Sequence, residues 1–385
     1  MSIYNSFKLY KNFKNYYTLK EIIKDLLDYT IYILNMPLYL LNSLLWKKYQ
    51  KKFKIKNILL IYWGAIGDVI YATSVLNPLK NRYPDAKISV ITNKNGKTIF
   101  TALANEIIEF DKSKENLLKF IKNLRNRKFD IALNLKFDSD RAALITILSR
   151  SKFKVGCGPR HWLLFYNLKG KPALTITHQI ERFSNILNAI GINEKISPSI
   201  YIDKESENFA SKFWKEKRLK NKKVIMIHPG AKEEYKRWQI ENFKELIKLL
   251  LKNYNFKILI AYGPYEKDLI LKLKKELKNN KNIIIAPETK DIIKFAAILA
   301  RCNYFIGNCS APMTVAVALK IPSFIIMGPN NPVVWSPYGE IHKFILPKIR
   351  CKKCHLPCKK NYLCQTSIKF EDVFNLIKYN LVVHP

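Results

Sequence analysis

From Asn57 onward, short apolar runs of strand length alternate with amphipathic segments of helix length. The first strand-like runs read NILLIYW, KISVIT, IIEF and DIALNL, and helical patterns such as DVIYATSVLNPLKNRY and KENLLKFIKNLRNRK lie between them. Parallel strands need long crossover connections, which are usually helices. The alternation therefore predicts an α/β fold in which a parallel sheet is covered by helices on both faces.

The alternation is interrupted by the stretch INEKISPSIYID, whose Pro, Ser and Asn residues are typical of a connection. It resumes with the runs KVIMIHPG, FKILIAYGP, NIIIAP, YFIGN and SFIIMGP. We therefore predict two doubly wound domains, residues 56–195 and 204–350, with a linker near residues 192–203. Because ligands of open α/β sheets bind beyond the carboxyl ends of the strands, two such domains facing each other form a central cleft.

The first 55 residues do not follow this pattern. Between Leu19 and Leu45, apolar residues recur at helical spacing, and polar residues fall mostly on the other side. The lysines that follow are Lys47, Lys48, Lys51, Lys52, Lys54 and Lys56. Residues 1–55 are therefore predicted to be a basic amphipathic helical segment on an anionic membrane surface. A membrane-spanning helix and a helical hairpin packed on the protein's own core are the alternatives.

The formal net charge of +37 arises from 67 Lys and Arg against 30 Asp and Glu. Such a charge attracts phosphate groups on a lipid surface, a nucleic acid or a nucleotide ligand. The sequence contains no recognised nucleic-acid-binding module, so we predict no nucleic-acid partner.

The first strand is followed by the loop Gly64-Ala65-Ile66-Gly67-Asp68. Its two glycines do not complete the dinucleotide-binding fingerprint, and a carboxylate stands where the helix begins. The helix dipole favours ionised Asp68, which suits a general base that takes a proton from a sugar hydroxyl. An N-cap role also fits this position.

Two loops of the second half have residues suited to binding an anion. The stretch KEEYKRW contains Lys236 and Arg237, whose cations can compensate the growing charge of a diphosphate leaving group. As a solvated charge run, the same stretch would need no function. The later stretch GNCSAPMTVAVAL places the small residues Gly307, Ser310 and Ala311 where a phosphate can approach backbone donors at a helix start.

In this order, the motifs resemble glycosyltransferase family 9, the ADP-heptose:lipopolysaccharide heptosyltransferases. The resemblance is carried by ILLIYWGAIGDVIYATSVLNPL, IHPGAKEEYKRWQIENF, FIGNCSAPMTVAVALKIPSFIIMGP and the cysteine-rich tail. It implies a GT-B architecture of two Rossmann-like domains, with the acceptor bound mainly by the first and the nucleotide sugar by the second. It also implies inverting transfer of heptose or a related sugar from ADP-heptose to a lipopolysaccharide core or another lipid-linked acceptor, with no cofactor required. Such an enzyme is expected in the cytoplasm, peripheral on the inner face of the bacterial inner membrane.

The resemblance also implies roles for individual residues. Asp68 would be the base that deprotonates the acceptor hydroxyl, and Lys236 would stabilise the departing ADP. Gly64 and Gly67 would belong to the acceptor-side loop. The residues that would bind the donor are Gly230, Arg237, Glu266, Asn308, Ser310, Ala311, Pro312 and Met313.

One segment departs from the family pattern, which reads approximately N-D-S-G-P-M-H. Here Cys309 replaces a carboxylate, Ala311 a glycine and Thr314 a histidine. A missing carboxylate can change how the hydroxyls of the donor sugar are held, so a different donor is an alternative. A sugar-nucleotide epimerase on the same fold is a second alternative, and acceptor-dependent transfer distinguishes the two.

Four of the seven cysteines, Cys351, Cys354, Cys358 and Cys364, lie within a short tail. Their number suffices for a structural zinc ion or an iron–sulfur cluster, although the spacing is tighter than in paired zinc knuckles. A shared structural feature without metal is the alternative. Residues 351–385 are thus predicted to form a cysteine-rich tail that ends in a helix.

Overall fold

The computed structural model describes residues 19–111, 113–158, 160–171, 177–264, 266–277, 280–349, 358 and 362–383. The chain divides into two compact units, Met1–Ser199 and Ile200–Pro385.

Two consecutive helices, α1 (Leu19–Leu34) and α2 (Met36–Lys52), precede the first strand. They meet at Asn35, and Pro37 in the first turn of α2 has no N–H to continue the hydrogen-bond ladder of α1. Within the described part of the chain, no helix is long and apolar enough to cross a membrane.

The first unit contains a six-stranded parallel sheet in the order β3-β2-β1-β4-β5-β6. Its strands are β1 (Asn57–Ile61), β2 (Lys87–Thr92), β3 (Glu106–Glu109), β4 (Ile131–Asn134), β5 (Phe153–Gly156) and β6 (Leu168–Lys169). The helices of this unit are α3 (Ile66–Ala72), α4 (Leu76–Arg82), α5 (Lys94–Phe100), α6 (Leu117–Arg125), α7 (Asp140–Leu148) and α8 (Gln179–Asn188). A 3₁₀ turn, Thr73–Val75, joins α3 to α4.

The second unit repeats this arrangement, with a parallel sheet in the order β12-β11-β10-β7-β8-β9. Its strands are β7 (Val224–His228), β8 (Lys257–Ile260), β9 (Ile283–Ile285), β10 (Tyr304–Asn308), β11 (Ser323–Ile326) and β12 (His342–Ile345). Its helices are α9 (Lys204–Glu216), α10 (Ile240–Asn253), α11 (Lys267–Glu276), α12 (Ile292–Leu299), α13 (Ala311–Ala318), α14 (Pro332–Trp335), α15 (Leu363–Thr366) and α16 (Phe370–Val383). The C-terminal helix contributes Val373 and Ile377 to the core that also contains Phe243 and Leu246 of α10.

Both sheets have the strand order 3-2-1-4-5-6 of dinucleotide-binding domains. After the third strand, the chain crosses to the other side of the first strand, and the crevice at this crossing is called the topological switch point. The switch points therefore lie between β1 and β4 in the first unit and between β7 and β10 in the second. The predicted class, two doubly wound α/β domains, is confirmed by these two parallel sheets.

Candidate active site

Asp68 lies in the first turn of α3, directly beyond the carboxyl end of β1 and next to the switch point of the first sheet. Ala65 occupies the N-cap position of this helix, so the predicted N-cap role for Asp68 is wrong. A carboxylate in the first helical turn is favoured in its ionised form by the helix dipole. Asp68 is half-buried.

The loop before Asp68 is held by two asparagines that follow β2. Asn93 Nδ2 donates to the Gly64 carbonyl at 3.0 Å, and Asn95 Nδ2 donates to the same oxygen at 3.2 Å. A Cβ atom at Gly64 would lie 3.4 Å from Asp68 Cβ and 3.5 Å from its Oδ2 atom. Gly64 therefore lies close to Asp68, and side chains from the segment after β2 fix the loop that carries them. Gly67 lies in the first turn of α3, beside Asp68.

Several charged and polar groups, the Asp68 carboxylate among them, lie around Tyr62. Burial raises the pKa of Tyr62 well above its usual value, and the Asp68 and Asp138 carboxylates raise it further, whereas Arg182 opposes this shift. The Tyr62 hydroxyl accepts a hydrogen bond from Gln179 Nε2 at 3.5 Å. These side chains come from the ends of β1 and β4 and from the first turn of α8.

Two cations of this cluster were missed from the sequence. Lys136 Nζ lies 5.9 Å from the Tyr62 ring centroid and 2.9 Å from Asp138 Oδ1. Arg182 Nε donates to the Thr177 carbonyl at 2.9 Å, and its guanidinium lies 5.3 Å from the Phe137 ring centroid. Lys136 directly follows the predicted strand DIALNL, so the strand-end rule could have found it. No sequence signal pointed to Arg182.

In the second unit, Glu266 packs against the loop that follows β7. A Cβ atom at Gly230 would lie 2.4 Å from Glu266 Cγ, so this contact requires glycine. The Gly263 N–H donates to Glu266 Oε2 at 2.6 Å. Burial lowers the pKa of His228, and the Glu266 carboxylate acts against this shift. Glu266 is itself buried, so it fixes the shape of the loop around Gly230 as well as carrying a charge.

The predicted cations Lys236 and Arg237 occupy different positions in this loop. Lys236 ends a short 3₁₀ turn, Glu234–Lys236, and its Nζ atom lies 5.6 Å from the Tyr235 ring centroid. Arg237 Nε donates to the Ala231 carbonyl at 2.7 Å, which closes the loop on itself. Arg237 thus stabilises the loop conformation in which Lys236 is presented.

Asn308 connects this loop to the end of β10. Its Nδ2 atom donates to the Pro229 carbonyl at 2.8 Å and to the Gly230 carbonyl at 3.1 Å. The Trp238 N–H donates to Asn308 Oδ1 at 3.0 Å. Because the side chain is buried and bonded at both ends, Asn308 positions the two loops at the switch point of the second sheet.

The helix start predicted to approach a phosphate is that of α13, where Ser310 is the N-cap. The Met313 N–H donates to the Ser310 carbonyl at 3.0 Å, and Pro312 has no N–H. Two of the potential backbone donors of this turn, those at Pro312 and Met313, are therefore not offered to a ligand. The Ser310 hydroxyl donates to the Asn308 carbonyl at 3.4 Å.

The sequence model of glycosyltransferase family 9 (heptosyltransferase) matches residues 117–362. The chain belongs to this family. It is 26% identical over 294 residues to the Escherichia coli K12 lipopolysaccharide heptosyltransferase 3, covering 71% of this chain and 83% of the relative. It is 27% identical over 346 residues to the Campylobacter coli lipopolysaccharide heptosyltransferase 1, covering 83% of this chain and 98% of the relative.

Solved structures have the same fold. A family 9 glycosyltransferase from Veillonella parvula matches with a TM-score of 0.72 and 20% identity, covering 86% of this chain and 98% of its own. The E. coli ADP-heptose lipopolysaccharide heptosyltransferase II matches with a TM-score of 0.65 and 18% identity, covering 85% of this chain and 99% of its own.

The residues that depart from the family motif, Cys309, Ala311 and Thr314, lie just before α13 and in its first turn. Cys309 is buried, and its thiol donates to the Trp335 carbonyl at 3.6 Å. Asn330 Nδ2 lies 3.1 Å from the Cys309 carbonyl and 2.9 Å from its Sγ atom. Thr314 Oγ1 donates to the Ala311 carbonyl at 2.8 Å. In this family member, a thiol–amide contact thus links the loops after β10 and β11.

The tail contacts the loop that carries Lys236. Gln365 Nε2 donates to the Tyr235 carbonyl at 3.3 Å, and Trp238 Nε1 donates to the Ile368 carbonyl at 2.9 Å. A Cβ atom at Gly328 would lie 2.1 Å from Gln365 Nε2. The buried Gln365 side chain is therefore wedged between the ends of β7 and β11, a role the sequence did not indicate.

The predicted metal site involves the same tail. Cys351 and Cys354 lie outside the described residues. Cys358 Sγ accepts a hydrogen bond from the Tyr362 N–H at 3.3 Å, and Cys364 lies within α15. In the part of the chain that the structure describes, no three His, Cys, Asp or Glu side chains are grouped to hold a metal ion.

Proposed function

We propose that this enzyme transfers heptose, or a closely related sugar, from ADP-heptose to a lipopolysaccharide core or another lipid-linked saccharide. The observation that carries this proposal is family membership, combined with an acid at one switch point and a cationic loop at the other. The curated relatives are named as lipopolysaccharide heptosyltransferases. Membership of this family favours transfer over the sugar-nucleotide epimerase alternative.

In the proposed reaction, an acceptor hydroxyl oxygen attacks the anomeric carbon of the donor. The bond from that carbon to the diphosphate oxygen breaks, and its electron pair leaves with ADP. Asp68 takes the hydroxyl proton, and the Lys236 ammonium compensates the charge that grows on the diphosphate. Because this is a single displacement, the configuration of the anomeric carbon inverts.

The groups proposed to hold the donor are those at the second switch point. Gly230, Glu266, Asn308 and Arg237 define the loop after β7, and the stretch from Ser310 to Met313 begins α13. Because Pro312 has no N–H and the Met313 N–H is bonded within the same turn, Lys236 is expected to supply much of the interaction with the diphosphate. In the first unit, the cations Lys136 and Arg182 favour an acceptor with acidic groups near the reacting hydroxyl.

The direct test is transfer with defined donors and acceptors. The purified protein is incubated with ADP-heptose or ADP-hexoses, with and without a lipopolysaccharide core acceptor, and the products are identified by mass spectrometry. The proposal expects the acceptor to gain one heptose and ADP to be released only when both substrates are present. Conversion of the donor to an epimer without acceptor, or no gain of mass by any acceptor, would contradict it.

The second candidate function is transfer of a related sugar, and Cys309 is the residue that favours it. A buried thiol bonded to Trp335 and Asn330 does not offer the charged acceptor atoms of a carboxylate to sugar hydroxyls. In the same donor panel, higher kcat/KM for a hexose than for heptose would favour this candidate. Cys309→Asp is then expected to shift the preference towards heptose.

The proposed location is the cytoplasm, at the inner face of the bacterial inner membrane, where a lipid-linked acceptor is accessible. A protein whose described helices do not span a bilayer would reach that acceptor by peripheral attachment. Fractionation of cells that express the full chain tests this location. Recovery with membranes that is reversed by high salt or carbonate is expected, and exclusive recovery in the soluble fraction would contradict it.

A further inference from the structure

One face of α2 is fixed to the first unit. Trp46 is buried, and its Nε1 atom donates to the Ile190 carbonyl at 3.2 Å. Its ring packs edge-on against Phe153 of β5 with centroids 4.7 Å apart. Tyr39, two turns of helix towards the N-terminus on the same face, is also buried, with Lys169 Nζ 3.5 Å from its ring centroid. The helix cannot turn over without breaking these contacts.

The opposite face of α1 and α2 is apolar and open to solvent. Ten aliphatic side chains in these two helices are exposed: Ile23, Leu26, Leu27, Ile33, Leu34, Leu38, Leu40, Leu41, Leu44 and Leu45. They make up half of the large apolar side chains that are exposed in the described part of the chain. Soluble surfaces rarely gather so many apolar groups unless the patch binds another surface.

The exposed face of α2 is apolar in its first part and positively charged towards its C-terminal end. Leu40 and Leu44 are followed on the same face by Lys48 and Lys51, at the spacing of successive helical turns. Lys47 and Lys52 flank them and are exposed as well. The α2 sequence contains no Asp or Glu, so this face combines leucines with an unbroken positive charge.

We propose that the exposed face of α1 and α2 binds an anionic lipid bilayer, with the aliphatic side chains inserted at the headgroup boundary and the lysines among the headgroups. This proposal rests on the proposed function for the choice of a lipid as the partner. Charge complementarity argues for the same choice, because a second copy of this chain would present the same lysines and be repelled. The two helices lie along the surface, since neither is long and apolar enough to span it.

The proposal also explains why the helices are attached as they are. Trp46 and Tyr39 fix α2 to the edge of the first sheet, so the unit that contains Asp68 is the one brought to the membrane. An acceptor sugar whose lipid stays in the bilayer would then reach the acceptor-side loop without leaving the surface.

Vesicle binding of the full chain tests this surface. The vesicles contain phosphatidylethanolamine with phosphatidylglycerol, or phosphatidylcholine alone, and binding is measured by flotation. The double variant Leu41→Glu/Leu44→Glu is expected to lower the partition coefficient on phosphatidylglycerol vesicles by about tenfold or more, because two inserted side chains become charged. The matched control is Leu118→Glu, an exposed leucine of α6, and it should bind like the wild type.

Charge is tested separately with Lys48→Glu/Lys51→Glu. Binding to phosphatidylglycerol vesicles should fall by about tenfold or more, with a smaller effect on phosphatidylcholine. The control Lys274→Glu/Lys275→Glu makes the same charge change on exposed positions of α11 and should not alter binding. Wild-type binding by either α2 variant, or an equal loss in its control, would overturn the proposal. A dimer that Leu41→Glu/Leu44→Glu dissociates would show instead that the occupant is a second copy.

Transfer to a water-soluble acceptor fragment separates this surface from the proposed function. All four variants should keep wild-type transfer to that fragment, since none changes a residue of the candidate site. Vesicle binding without any transfer by the wild type would contradict the proposed function and leave the surface supported. Transfer by a wild-type protein that does not bind vesicles would support the proposed function and contradict the membrane-binding surface.

Discussion

At the scale of single residues, the candidate site depends on two charged side chains, each on a loop whose backbone carbonyls accept side-chain hydrogen bonds. Asp68 is presented by a loop whose Gly64 carbonyl accepts two amide hydrogen bonds. Lys236 is presented by a loop that Arg237 and Asn308 close from inside. Most of the predicted donor residues therefore shape the backbone, and Lys236 is the cation expected to act on the ligand.

Replacing Lys236 by Ala should slow transfer strongly with little change in fold. A preorganised charge that stabilises the transition state is worth about 10²–10³ in kcat, and we expect a loss of that size at saturating donor. The measurement is steady-state kinetics with ADP-heptose and acceptor. Lys232→Ala removes an exposed lysine from the same loop and should be nearly silent. A kcat within a few-fold of the wild type for Lys236→Ala would remove this residue from the mechanism.

At the scale of elements, the strands and long helices were predictable because their apolar patterns are complete within the sequence. KISVIT and YFIGN match β2 and β10 in full, and the helical pattern KENLLKFIKNLRNRK contains α6. The strands β5, β6 and β12 were not predicted. Their sequences, FKVG, LK and HKFI, have no uninterrupted apolar run like the III of β9, so nothing in them indicates a buried strand.

The contact between tail and loop could not be predicted for a different reason. Gln365 and Tyr235 are 130 residues apart, and their pairing depends on the packing of α15 against Gly328. A single polar residue in a cysteine-rich stretch does not indicate that its side chain will be buried between two strand ends. Tertiary contacts of this kind appear only when the strand ends are placed in space.

Gln365 is expected to be a positioning residue for Lys236. Gln365→Ala removes the hydrogen bond to the Tyr235 carbonyl and leaves a gap beside Gly328, so kcat should fall by about tenfold, while the donor KM changes little. The matched control is Thr366→Ala, which only loses a local hydroxyl bond to the Leu363 carbonyl. A variant that loses thermal stability but keeps its kcat per folded enzyme would show a purely structural role.

At the scale of the whole molecule, one strand order is used in both units, and each unit contributes one half of the proposed chemistry. The solved relatives match 98–99% of their own chains but only 85–86% of this one. Most of this chain's fold is thus shared with these relatives. The part of this chain outside the match is similar in length to the segment before β1. The alternation of apolar runs predicted the shared part, whereas the packing of α2 through Trp46 needed the structure.

Stability should also depend on pH through His342 in β12. Burial lowers the pKa of His342 to about 4, and the ring shares a 2.7 Å hydrogen bond with Ser323. Between pH ~6.5 and ~4 the unfolded state binds a proton that the folded state does not, so stability falls as the pH falls through this range, by about 3 kcal/mol in total.

Denaturant unfolding of the wild type and of His342→Gln over this pH range measures the effect. The variant should lose less stability in acid than the wild type does. Carboxylates with lowered pKa values, such as Asp130, contribute in the same direction in both proteins and cancel in the difference. Parallel pH profiles for the two proteins would show that His342 is not the group responsible.

The central claim is that Asp68 is the base of a sugar transfer whose donor is bound by the other unit. The most direct measurement compares Asp68→Asn with Asp85→Asn, an exposed acid of the same unit, in donor binding and in transfer. The account predicts that both variants bind ADP-heptose like the wild type, and that only Asp68→Asn loses transfer, by about 10²-fold or more. Transfer by Asp68→Asn at the wild-type rate would contradict the account.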